Sequence, residues 1–129
     1  MPSPINGETV DGLLGRLVGA DMNLTADQAI PLTLLGGSKY IVEKIVVTNA
    51  STSLTLAAGG IYDTAAKGGN AIVAAVQVYS ALSAAGKVVA LTLAALTDVL
   101  TAPSLFLSLT TGQGVAATAD IYVFGRVLP

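Results

Sequence analysis

The chain has 129 residues, 53% hydrophobic and only 11% charged, with six basic and eight acidic side chains and a formal charge of -2. It contains no Cys, His or Trp, which excludes disulfides, thiolate nucleophiles, Cys- or His-based metal sites and the commonest general base. Six cations are too few for the phosphate-neutralising stripe that nucleic-acid binding requires, so no nucleic-acid partner is expected.

Residues 1–13, MPSPINGETVDGL, combine Pro2, Pro4, Gly7 and Gly12 with the apolar Ile5, Val10 and Leu13. The Pro and Gly keep this stretch out of a sheet interior, yet its apolar content is high for an idle tail. The pattern predicts an extended N-terminal arm over residues 1–13 that reaches a partner through Ile5, Val10 and Leu13. A β-domain then occupies residues 14–129, with a first strand from Leu14 to Ala20. No secretory signal is visible at this end.

Strand-like alternation continues along the chain. In Ala29 to Leu35, Pro31 cannot donate to a ladder, which predicts an edge strand. The next strand, YIVEKIVVTNAS over residues 40–51, is the most regular. Strict alternation sets Tyr40, Val42, Lys44 and Val46 against Ile41, Glu43, Ile45 and Val47. One charge then interrupts each otherwise apolar face. Glu43 and Lys44 fall on opposite faces, poorly placed to pair with each other, and are expected to find partners across a strand or a subunit.

Two further strands are expected near residues 54–57 and 60–64. The run from Asn70 to Gly86 is ambiguous between strand and helix: its Ala content favours a helix, its Val content a strand. A strand over Ala71 to Ala75 is expected, with Val76 to Ala85 irregular or a single helical turn. Final strands are expected at Lys87 to Ala95, Ser104 to Thr111 and Ala119 to Leu128. Gly112-Gln113-Gly114 predicts a hairpin between the last two. Short strands with turn clusters every few residues indicate an all-β sandwich or barrel. A membrane span is disfavoured, because Asn70, Gln77, Ser80, Ser83 and Lys87 interrupt the long apolar run and no basic or aromatic flanks bracket it. The low charge instead predicts surface that other protein subunits cover.

No grouping of residues suggests catalysis. Asp21, Asn23 and Asp27 begin like a calcium loop, but Ala26 stands where its central Gly belongs and Leu32 where its closing Glu belongs. The Gly pairs lack the Lys-Ser/Thr of a phosphate loop. The residues predict a non-enzymatic protein with no cofactor, no metal site and no catalytic residue.

From Lys39 to Arg126 the chain resembles the small all-β virion proteins of tailed bacteriophages, in KYIVEKIVVTNAS, AAGGIYDTAAKGG, AIVAA, LTLAA, TDVLTA and LFLSLTTGQGVAATADIYVFG. The resemblance implies a single jelly-roll-like antiparallel β-sandwich. It further implies a capsid decoration or cement protein at the virion's capsid surface, bound to the major capsid protein lattice or another virion protein as a homo-oligomer, a trimer. The alternative is a tail, fibre or receptor-binding module that recognises carbohydrate. Under this resemblance residues 40–51 form a central strand with one face in the core and the other on a subunit. Glu43 and Lys44, with Ile5, Val10 and Leu13, are then the expected partner-binding residues.

Overall fold

Among the described residues eight strands pair antiparallel throughout: β1 (Asp11–Asp21), β2 (Gln28–Pro31), β3 (Lys39–Thr48), β4 (Ala58–Thr64), β5 (Gly68–Val73), β6 (Val88–Ala90), β7 (Ser104–Thr111) and β8 (Thr118–Leu128). The computed structural model describes residues 11–94 and 97–128. One sheet has the order β1-β8-β3-β6 and the other β2-β7-β4-β5. Strand 1 thus lies beside 8, 2 beside 7, 3 beside 6 and 4 beside 5. That is the order of a ribbon doubled back at residues 65–67 and rolled into a jelly roll. The fold is all-β, an antiparallel sandwich of two four-stranded sheets.

Alternation builds the core from both inner faces. Leu105, Leu107 and Leu109 of β7 and Ile121, Val123 and Val127 of β8 are buried. Ile30, Ile61, Ile72, Tyr79 and Leu82 join them in one contiguous cluster. Each such side chain contributes about 1.5–3 kcal/mol on full burial.

Strand β3 departs from strict alternation, which corrects the expected faces. Val42 pairs with Gly125 and Lys44 with Phe124, so Glu43 is an extra residue, a β-bulge. The bulge resets the alternation halfway along the strand. Tyr40 and Val42 point inward before it, Ile45 and Val47 after it, and all four are buried. Glu43 and Lys44 share the outer face, not opposite ones. Two charges in a β-branched run are therefore accommodated without burying either. Gly125, across from the bulge, makes this possible: a Cβ there would overlap the Ile41 carbonyl oxygen and stand 3.0 Å from Leu14 Cδ1.

Both seams between the sheets are stitched. On one side Gly15 bridges Leu32, and the Thr33 N–H donates to the Leu14 carbonyl at 2.7 Å. Gly15 has no room for a side chain, because a Cβ would overlap the Pro31 carbonyl oxygen. The Gln28 amide completes this edge like a strand partner, accepting from the Asp21 N–H and donating to the Asp21 carbonyl. On the other side residues 91–94 cross over: Leu91 N–H donates to Ile45 of β3 and Ala94 N–H to Ile72 of β5. Covering these edges limits unplanned strand addition.

Several boundaries differ from expectation for tertiary reasons. β1 starts at Asp11, three residues early, because its first residues pair with Arg126 and Gly125. Pro31 does lie on an edge strand, but β2 stops there. β6 is three residues long because the chain leaves one sheet for the other. Gly112-Gln113-Gly114 makes no hairpin, since β7 and β8 belong to different sheets. It is the crossing between them. Gln113 anchors that crossing: its Oε1 accepts from the Leu56 and Ala57 N–H groups at 2.9 and 3.1 Å. That side chain does for residues 54–57 what a neighbouring strand would, and no strand forms there. Between β5 and β6 the chain makes turns and no helix, pinned by buried Tyr79, whose hydroxyl donates to the Gly59 carbonyl at 3.0 Å.

Candidate protein docking face

Strand β8 carries the centre of the outer face of the first sheet. Tyr122, Phe124 and Arg126 alternate with the core residues and so point outward. Across one side, β1 sets Leu13 opposite Phe124 and Arg16 opposite Tyr122. Across the other, β3 sets Ile41 opposite Arg126, Lys44 opposite Phe124 and Val46 opposite Tyr122. Leu13 is 50% exposed and Val88, at the far edge on β6, 62% exposed. The middle of the face is aromatic and aliphatic with Glu43 and Lys44 set beside Phe124, and Arg16, Lys39 and Arg126 lie toward its margins. Exposed apolar and aromatic surface mixed with charge suits a protein interface, and Tyr and Arg are among the side chains that most often dominate binding.

The expected partner-binding residues are placed as follows. Leu13, Glu43 and Lys44 come together on this face. Ile5 and Val10 lie outside the described residues. The Glu43 carboxylate stands 3.9 Å from the Arg126 guanidinium, with both side chains nearly half exposed. Such a pair contributes about 0–1 kcal/mol. Sequence reasoning missed Tyr122, Phe124, Arg16 and Val46 as surface candidates. Tyr122 and Phe124 alternate with buried Ile121 and Val123, and that period was legible; which flank faces outward was not.

The outer face of the second sheet differs. Here the Ser108 hydroxyl, almost fully buried, accepts from Lys67 Nζ at 2.8 Å. Asp27 Oδ2 accepts from the Ala66 N–H at 2.6 Å. A serine beside a lysine suggests a nucleophile and its base, but burial closes this serine to substrate. The trio instead clamps the β4–β5 turn, where Ala66 and Lys67 adopt φ values of 61° and 60°. Left-handed backbone at two non-glycine residues costs about 1–2 kcal/mol each, and the clamp offsets that strain. Asp21 and Asn23 serve turns too, accepting from the Asn23 and Gly114 N–H groups. Among the described residues no group of three or more acidic side chains is gathered to hold a metal.

Hydrogen bonds from the Ala66 N–H and with the Ser108 hydroxyl, aided by the Lys67 charge, hold the Asp27 carboxyl below its ordinary value. A depressed folded pKa adds stability above the unfolded Asp value of about 3.9, lost as pH falls through the folded value. Asp27→Asn is therefore less stable than wild type at neutral pH. The difference narrows on acidification below about pH 4. Thermal melts of both proteins across that range check this, and a difference that stays constant with pH would refute it.

The chain matches no known protein-family model, and comparison with characterised proteins and with solved structures finds no significant similarity.

Proposed function

We propose that this protein is a non-enzymatic structural component of a tailed-bacteriophage particle, a decoration or cement protein that docks on the major capsid protein lattice as a homotrimer. The observation that carries this reading is the outer face of the first sheet, where aromatic and aliphatic side chains are exposed among charges, on a sandwich whose edges are partly stitched. The stitches cover part of each edge, so the faces and loops are the larger surfaces open to docking. The resemblance of residues 39–126 to phage virion proteins supplies the particle, and jelly rolls are a common architecture for virion coats. Fold alone assigns no function.

Electron microscopy of intact particles from cells carrying the gene tests the proposal. Density for the jelly roll on the capsid surface is expected, with Phe124→Ser lowering occupancy and leaving the isolated protein folded. Absence of the chain from purified particles would overturn it. Tyr122 and Phe124 also favour a second reading, a sugar-binding module of a tail or fibre, since aromatic faces suit sugar rings. A glycan array that gives a signal lost in Tyr122→Ala would select that reading.

A further inference from the structure

We infer that the outer face of the first sheet takes an acidic protein surface of a different chain, one that presents carboxylates around apolar side chains. The inference rests on the docking role of this face and adds the chemistry of its partner. Four of the six cations of the chain, Arg16, Lys39, Lys44 and Arg126, lie on this face. Against them stand Glu43 and the nearly buried Asp120, which accepts from the Gly19 N–H and the Asn49 amide. Four positive and two negative groups leave the face at +2, in a chain of net -2, so the remainder carries -4.

This asymmetry selects among occupants. Two copies meeting face to face would oppose like charge, which disfavours a two-fold dimer through this surface. The acids on the rest of the chain offer a second copy no concentrated complement. Asp27 and Asp63 are both committed to hydrogen bonds at the β4–β5 turn, which also carries Lys67, and Asp21 is committed to its own turn. Single-stranded nucleic acid would match the aromatic pair and the cations. Yet Glu43 lies beside the Lys44–Phe124 pair, where a phosphate would be repelled, and Leu13, Ile41 and Val46 flank the rings with aliphatic surface. An apolar, carboxylate-rimmed protein surface satisfies all of these groups at once.

Amide chemical shifts of the full chain, titrated with defined probes, test this. The probes are a short peptide alternating Glu with Leu and Ser, the same peptide with Lys for Glu, and an oligo-dT strand. The Glu peptide is expected to shift Leu13, Val46 and Phe124, to bind less tightly as salt rises, and to bind about tenfold more weakly to Arg16→Glu/Lys44→Glu. These two exposed positions leave the fold intact, which the unperturbed spectrum of the double variant checks. Equal binding of the Lys peptide, preference for oligo-dT, or no shift with the Glu peptide would each overturn the inference. So would rapid disulfide dimerisation of Val46→Cys in the cysteine-free chain, which would reveal a face-to-face dimer. Peptide binding by a protein absent from virions would leave this inference standing and remove the capsid assignment. Incorporation into virions unaffected by the charge reversal would do the opposite.

Discussion

Gly125→Ala is expected to lower the unfolding free energy by about 3 kcal/mol or more, a severe effect for one methyl group. The added carbon overlaps the Ile41 carbonyl oxygen, a backbone atom that cannot step aside without moving β3. It also presses on Leu14 Cδ1 at 3.0 Å. β3 and β8 are central strands of the first sheet, so displacement there spreads to both neighbours. Urea denaturation measures the loss. Gly86→Ala is the control: nothing lies within 4 Å of a Cβ at that site, and its cost should be within about 0.5 kcal/mol. A Gly125→Ala protein within about 1 kcal/mol of wild type would show that the bulge does not require this close approach.

The bulge itself makes a second, larger contrast. Deleting Glu43 removes the extra residue and leaves a regular ladder in which Tyr40, Val42, Ile45 and Val47 still face the core. The cost is expected to be about 1 kcal/mol or less, from the lost pairing with Arg126 and a change in strand twist. Deleting Val46, three residues along, keeps the bulge but reverses everything after it. Val47 would turn outward and Thr48 inward, or Lys44 would enter the core. Either outcome is expected to cost about 4 kcal/mol or more, enough to leave little folded protein. Circular dichroism and urea melts of the two deletions decide this. Equal damage from both would mean that the register is set elsewhere.

The contrast shows where sequence reasoning reached its limit in β3. Alternation identified a strand across residues 40–48. It could not say whether the period held through Glu43-Lys44, since either parity leaves one charge in each apolar row. The ladder with β8 decided it: inserting one unpaired residue puts both charges in water, whereas a regular strand would bury one. The site was half legible for the same reason. Leu13, Glu43 and Lys44 carried a local signal, an apolar residue in a Pro/Gly stretch and two charges in an apolar run. Tyr122, Phe124 and Arg16 join them only because β8 lies between β1 and β3, an adjacency made by residues far apart in the chain, such as Leu13 with Phe124 and Lys44 with Phe124. Gln113 shows the converse. Between two glycines it reads as a hairpin tip, yet its amide serves residues 55–57 and the chain there crosses between sheets.

By itself the sequence determined the all-β class, most of the strands and the shortage of charge, because period-two patterning and composition are local properties that the solvent reads residue by residue. Pro31 placed its own strand at an edge for an equally local reason, the missing N–H. Tertiary structure alone decided which strands became neighbours, where β3 bulged, how the seams closed and which apolar residues stayed outside. These depend on hydrogen bonds and close approaches between distant segments, such as Gly125 against Ile41 or Gly59 against Leu109. Those contacts can be satisfied only after the chain has doubled back at residues 65–67 and rolled the two sheets onto one core.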